Sequence, residues 1–200
     1  APKKFYSRAN LNCGLYSTKL DKLIAGSEGG KVFFWNLDNS SPLKIIATGS
    51  TESIVRIIEN GNKLIAVDAI GSLHFIDPIA FKLTLSLFVN EFEKDKYSIL
   101  WSTPEGFYSA EKSALRNFHF IKRENVLPLS IFDAYLNRPE KILEKLANTD
   151  TTNLNLYKEA TQKRMNKMGI SATVDFWNIE RPQISFGDAF SPQIMTDENT

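Results

Sequence analysis

The N-terminal part of the chain alternates short apolar runs with polar turns. Residues 23–25, 31–35 and 44–47 are rich in the β-branched and aromatic side chains that favour strands. Residues 27–30 and 38–42 separate these runs with the Gly, Asn, Asp, Ser and Pro residues that are typical of turns. Strands of about five residues at this spacing predict a mainly β protein with antiparallel sheets.

An internal repeat indicates which β architecture this is. The tetrapeptide Lys-Leu-Ile-Ala stands at residues 22–25 and returns 41 residues later, at 63–66. Gly30 recurs as Gly71 at the same offset. A period of roughly 40 to 45 residues with four short strands per unit is the pattern of a β-propeller blade. A generic meander or sandwich is the alternative.

The repeat predicts one blade over residues 11–48 and a second over 54–88. A third β stretch, residues 97–121, could start or complete another blade. Because a propeller needs at least four blades, we expect the remaining blades to be missing from this sequence or supplied by another chain. The absence of a methionine before Ala1 likewise predicts a fragment or a processed product.

The apolar period changes from 2 to 3.6 after Pro128, which predicts helices. Asn137 is a predicted N-cap ahead of Pro139 in the first turn of a helix, and Gly169 is predicted to end a later helix. We therefore expect three units: blades over residues 1–122, a helical cap or spacer over 123–170, and an extended linker over 171–200 that could start a further β domain.

Composition and charge exclude several classes of protein. A formal net charge of +1 over 200 residues lacks the basic excess of most nucleic-acid-binding proteins, and no apolar run approaches the ~20 residues that cross a bilayer. We therefore predict neither a nucleic-acid partner nor membrane insertion. The single cysteine, Cys13, excludes an internal disulfide and a thiolate zinc site. It fits both cytoplasm and periplasm, with the cytoplasm slightly favoured.

No motif of catalytic or ligand-binding chemistry stands out, so no cofactor, metal or catalytic residue is predicted. The residues around Cys13 lack the local sequence of a catalytic cysteine. His74 and His119 alternate with apolar neighbours inside predicted strands, which favours a structural role. The acidic and basic residues of the segment 91–96 are typical of a solvated loop.

The residues that could join the units or bind a partner are aromatic residues and one Arg-Pro pair. Trp101, Phe107 and Tyr108 are predicted in the core of a blade or in a lid over the bottom of the propeller. The Arg-Pro pair is predicted to start a helix and dock it against the blades. Trp177 could anchor the linker or contact a partner. The candidates are Trp35, Trp101, Phe107, Tyr108, Arg138, Pro139 and Trp177.

The order of several motifs resembles a known family. Thr-Pro-Glu-Gly-Phe-Tyr at residues 103–108 precedes Phe-His-Phe-Ile at 118–121, and Asn-Arg-Pro-Glu follows at 137–140. A helix rich in Ala, Lys and Arg over residues 157–169 comes next. This order resembles the junction in bacterial WD40-repeat proteins that carry a caspase-like (clan CD) peptidase domain, over roughly residues 22–186.

The resemblance implies incomplete WD40-like β-propeller blades, a small α-helical segment and an extended β linker. Both repeats depart from the Trp-Asp ending of WD40 blades, with Trp-Asn at residues 35–36 and Ile-Asp at 76–77. No catalytic residue of the peptidase is carried over. The implied function is a non-catalytic protein–protein interaction scaffold whose partners include the missing blades, within a larger protein coupled to the peptidase. The alternative is a regulatory or substrate fragment of a proteolytic system, released by processing.

Overall fold

The chain forms two antiparallel sheets side by side and a small helical segment. The computed structural model describes residues 4–122, 125–128, 132–146 and 150–169. Each strand of the first sheet pairs with the next one along the chain, as in a propeller blade. These strands are β1 (Leu11–Ser17), β2 (Lys22–Ser27), β3 (Lys31–Asn36) and β4 (Lys44–Ala47).

The second sheet repeats this meander and then extends it. In hydrogen-bonded order its strands are β5 (Ile54–Asn60), β6 (Lys63–Asp68), β7 (Leu73–Asp77), β8 (Lys82–Glu93), β9 (Lys96–Ser102) and β10 (Tyr108–Ala110). The third β stretch therefore does not start a new blade, because β9 and β10 pair onto the outer edge of the second sheet. Residues 91–96 are exposed, as expected of a solvated segment, but they do not form a loop: β8 continues to Glu93, which pairs with Lys96 across a tight hairpin.

A separate hairpin and four helices complete the described part of the chain. The hairpin pairs β11 (His119–Lys122) with β12 (Asn125–Pro128) and spans the expected boundary at residues 122–123. The helices are α1 (Ala114–Asn117), α2 (Asp133–Leu136), α3 (Pro139–Lys145) and α4 (Thr151–Lys167). Among the described residues, none of these helices is long and apolar enough to cross a membrane. The division into three units stays a prediction.

The start of α3 differs in part from the expectation. Pro139 lies in its first turn, where a missing N–H costs no hydrogen bond. The predicted N-cap, Asn137, is wrong, because Arg138 occupies that position without a capping hydrogen bond from its side chain. The side-chain amide of Asn137 instead donates to Asp133 Oδ1 at 2.8 Å.

The core between the sheets forms where one face of the first sheet packs against the opposite, non-equivalent face of the second, an arrangement that we call head-to-tail packing. We call the face that carries Ile24 and Phe34 the front face of the first sheet; the repeat-equivalent residues Ile65 and Phe75 define the front face of the second. The buried core joins the front face of the first sheet to the back face of the second, through Ile24, Val32, Phe34, Ile46, Ile54, Leu64, Ala66 and Ile76. Equivalent faces thus point the same way, as in consecutive propeller blades, whereas a twofold sandwich would bring them together.

The first strands of the two sheets, β1 and β5, lie next to each other. Ser17 Oγ donates to Glu59 Oε1 at 2.8 Å, and Cys13 Sγ lies 3.5 Å from the carbonyl oxygen of Ile54. Gly26 permits this approach, because a Cβ there would lie 2.4 Å from Ile54 Cγ2. The predicted mainly β architecture of blade-like meanders followed by short helices is confirmed. The predicted linker, with Trp177, lies outside the described residues.

Candidate interaction surfaces

The helical segment docks onto the outer edge of the second sheet through Tyr108. The backbone N–H of Arg138 donates to Tyr108 O at 2.7 Å, and Tyr108 also forms a parallel bridge with Asn137. The Tyr108 hydroxyl donates to Asp133 Oδ1 at 3.0 Å. Burial, together with this carboxylate, raises the pKa of Tyr108. The Tyr108 side chain packs in a core cluster with Leu136 and is buried, so a partner protein cannot contact it.

Arg138 joins this edge to the helices. Its guanidinium carbon lies 5.5 Å from the centre of the Phe107 ring, within range of a cation–π interaction. Its Nε pairs with Glu140, a carboxylate that is 1% exposed and also accepts from Thr161 Oγ1 at 3.0 Å. The structure thus brings together four of the predicted residues, Phe107, Tyr108, Arg138 and Pro139. A role for them in binding a partner stays a prediction.

Trp35 lies on the back face of the first sheet, which the N-terminal residues cover. Its ring stacks on Phe33 with centroids 5.6 Å apart and meets Phe5 edge-on at 6.2 Å. Trp35 is fully buried, and its Nε1 has no hydrogen-bond partner in the part of the chain that the structure describes. The N–H of Tyr6 donates to Ser40 O at 2.9 Å and holds the covering segment in place. Trp35 therefore packs within the chain.

The front face of the second sheet is apolar and only partly covered. The strand registers place Ile65, Phe75 and Trp101 on this face, with Ile58 at its inner side and Val89 towards its outer side. The rings of Phe75 and Trp101 lie 5.7 Å apart. Ile58 is 39% exposed and Val89 is 40% exposed. A contiguous exposed apolar patch of this kind is typical of an interaction surface.

The helical segment covers one end of this front face. Lys63 Nζ donates to the carbonyl oxygen of Lys145 at 2.7 Å. Leu146, Ile65 and Phe75 line a groove of about 450 Å³ between the sheet and the end of α3. The helical segment therefore covers part of the front face and leaves the rest exposed.

A buried hydrogen-bonded network in the second sheet is a feature that the sequence analysis missed. His74 Nδ1 lies 3.0 Å from Ser86 Oγ, and His74 Nε2 lies 3.3 Å from Asp68 Oδ2. Asp68 also accepts from Ser50 Oγ and from the N–H of Ser72, each at 2.8 Å. These are the residue types of a hydrolase triad. Because His74, Ser86 and Asp68 are all buried, no substrate can reach Ser86 Oγ, and the network instead ties β6, β7 and β8 together.

The network makes the folded chain sensitive to acid. Burial lowers the pKa of His74 against the opposing effect of the Asp68 carboxylate. The unfolded chain therefore binds a proton that the folded chain excludes, so stability falls as the pH drops below ~6.5, by at most about 1.4 kcal/mol per pH unit. We expect urea denaturation to show this loss between pH 7 and pH 5, and a smaller loss in His74→Gln.

The control for this prediction is the exposed histidine, His119. His119→Gln removes an exposed histidine outside the network, so a loss of pH dependence in this variant rather than in His74→Gln would contradict the prediction. Titration of Asp68 does not contribute between pH 7 and pH 5. Burial raises the pKa of Asp68, but the hydrogen bonds that its carboxylate accepts have the larger effect, so its pKa is lowered. Its stabilising effect is therefore lost only below ~4. Equal slopes in His74→Gln and the parent would contradict a neutral buried His74.

The remaining candidate chemistry is poorly placed for catalysis. Cys13 is partly buried beside Ile54, and burial raises the pKa of its thiol, which keeps it protonated and a weak nucleophile near neutral pH. Over the described ranges, no group of three or more His, Cys, Asp or Glu residues is arranged to hold a metal ion.

No family model and no curated protein sequence matches the chain. Solved structures similar to it include the WD40 repeats of RRP9, at 8% identity over 60% of this chain and 41% of that one, with a TM-score of 0.38. BamB from Moraxella catarrhalis is similar at 11% identity over 52% of this chain and 34% of that one, with a TM-score of 0.35. The chain thus spans less than half the length of either. The blade assignment rests on the strand order and head-to-tail packing.

Proposed function

We propose that the chain is a non-catalytic protein-interaction scaffold of consecutive WD40-like blades, whose open front face receives a further sheet. The head-to-tail packing carries this proposal. Phe34, on the front face of the first sheet, is fully buried, whereas its equivalent Phe75 on the second sheet is partly exposed. Head-to-tail contacts can repeat until a ring closes. The expected partner surface is the back face of another blade, from residues outside this sequence or from another chain.

Photo-cross-linking in the cells that make the protein tests this proposal. A benzoylphenylalanine at position 89 would replace Val89, which is towards the outer side of the front face. We expect cross-links to one defined protein segment. The matched control is Ile121 on β11, which is 76% exposed and belongs to a separate hairpin. The proposal fails if position 89 gives no cross-link, or only those that position 121 also gives.

The units have different roles in this proposal. Residues 1–122 form the blades and carry the open face. Residues 123–170 form a cap that Arg138 and Tyr108 hold to the sheet and that narrows one end of the front face. Residues 171–200 form the linker to a further part of the protein.

The resemblance at residues 103–108 and 137–140 leads us to propose that the longer protein couples this scaffold to a caspase-like peptidase. The alternative proposal is a regulatory or substrate fragment released by proteolysis. Intact-mass and N-terminal analysis of the natural protein distinguishes the two. A mature N-terminus at Ala1 supports release, and a polypeptide that continues before Ala1 supports the scaffold.

A further inference from the structure

The outer edge of the first sheet is open, unlike that of the second. Within the described chain β4 pairs only with β3, whereas β9, β10 and the bridge to Asn137 cover the edge of β8. The N–H of Thr48 donates to Gly30 O at 2.9 Å across the sheet. Because inward and outward backbone groups alternate along a strand, Ile45 and Ala47 direct their N–H and C=O groups outward. Such edges accept extended segments of other chains.

A groove runs beside this edge on the back face. It encloses about 490 Å³ between the N-terminal segment, residues 4–10, and strands β3 and β4. Phe33, Pro42 and Ile45 supply its apolar lining, and Ile45 is 49% exposed. A strand paired with β4 would place every second side chain over this groove. The lining therefore favours an apolar side chain at the centre of such a strand.

The groove is also positively charged. Arg8 and Lys31 line it, and both are exposed. Neither forms an ion pair with any residue that the structure describes, and no described Asp or Glu lines the groove. Lys44, at the start of β4, is a further cation on the edge strand, but its side chain lies on the opposite face from the groove. Lysines on a short edge strand disfavour pairing with an added strand that is apolar or basic. Carboxylates on the added strand would instead complement the positive charge.

We propose that β4 and this groove bind an acidic, extended segment of a partner protein by strand addition. Its central apolar side chain lies over Phe33 and Ile45, and carboxylates two residues to either side reach Arg8 and Lys31. This inference rests on the proposed scaffold function: the first partner is the blade that covers the front face, and the acidic segment is a second partner, bound at β4. Because β4 is the outermost strand of the first sheet, the bound segment leaves the front face of the second sheet free.

Fluorescence anisotropy with a defined probe tests this inference. The probe is a labelled peptide with blocked ends and the sequence Ser-Glu-Thr-Val-Thr-Glu-Ser, and the control peptide has Lys in place of both Glu. We expect the acidic probe to bind at least about tenfold more tightly than the basic peptide. Arg8→Glu with Lys31→Glu should weaken binding of the acidic probe by a similar factor. Lys82→Glu with Lys112→Glu makes the same charge change at exposed lysines away from the groove and should leave binding unchanged.

A backbone change separates strand addition from simple charge attraction. Ala47→Pro removes one outward N–H at an edge position where proline is tolerated, and we expect about tenfold weaker binding. A probe methylated on the amides of Val and the second Glu, whose N–H groups face β4 when Val lies opposite Ile45 in an antiparallel pair, should bind more weakly for the same reason, whether or not the proline disturbs the fold. The inference is overturned if the acidic probe does not bind, if the basic peptide binds equally well, or if methylation has no effect. These outcomes leave the cross-link at position 89, and so the proposed function, to be judged separately.

Discussion

Replacing Gly30 by alanine is expected to lower the free energy of unfolding by about 3 kcal/mol or more, whereas the same change at Gly71 costs about 1 kcal/mol. The two glycines are repeat-equivalent, and both have a positive φ, +65° and +87°. Their surroundings differ. A Cβ at Gly30 would lie 2.0 Å from the carbonyl oxygen of Ser50, whereas a Cβ at Gly71 meets nothing within 4 Å. Only Gly30 adds a backbone clash to the cost of the left-handed conformation.

Urea denaturation of both variants measures this difference. Gly29→Ala is a suitable control, because Gly29 has a φ of +66° and open space around it. It should resemble Gly71→Ala. The contact between Gly30 and the Ser50 backbone links the two sheets, because the Ser50 side chain donates a hydrogen bond to Asp68 in the buried network of the second sheet. Equal losses in all three variants would show that the Ser50 backbone does not lie against Gly30.

Replacing Arg138 by leucine is expected to destabilise the chain by about 3 to 5 kcal/mol, because it leaves a buried carboxylate without its cation. The side chains of Arg138 and Glu140 are only 18% and 2% exposed. The Thr161 hydroxyl, 3.0 Å from Glu140 Oε2, cannot replace the lost charge. Adding Glu140→Gln should recover at least half of the loss, because the neutral amide can still accept from Thr161.

Chemical denaturation of the single and double variants tests this coupling. The control is Lys141→Met on the same helix, which removes an exposed pair, Lys141 with Glu144 at 3.3 Å. It should change stability by no more than about 1 kcal/mol. If Arg138→Leu costs no more than this control, or if Glu140→Gln makes the loss larger, the ion pair between Arg138 and Glu140 does not stabilise the helical cap.

The strands and their period could be predicted because both repeats place strand-forming residues and turn residues at equivalent positions. β2 begins at Lys22 and β6 at Lys63, at the two copies of the same tetrapeptide. Alternation of apolar residues along these strands also determines which side chains share a face. The repeat therefore predicts that Phe34 and Phe75 occupy equivalent positions, but it leaves a meander or a sandwich open, because the faces that pack together depend on contacts between the sheets.

Other features depend on contacts that local sequence does not encode. The β8–β9 hairpin turns through Lys94 and Asp95, where Asp95 has a φ of +60°, but this segment lacks the Asn-Gly or Gly signal that predicts tight turns. The four-residue α1 is too short to show a helical period. The network of Asp68, His74 and Ser86 joins three strands, and only the presence of a histidine in an apolar strand could have suggested it.

The position of the cross-links formed from residue 89 tests head-to-tail packing most directly. Our account predicts that the partner peptide carries the back-face positions of another blade, those equivalent to Leu64, Ala66 and Ile76 in the second sheet. Peptide mapping by mass spectrometry identifies these positions. Cross-links from residue 89 to the front face of a second copy, around its own Ile65 and Phe75, would instead show a twofold pairing of equivalent faces and contradict the account.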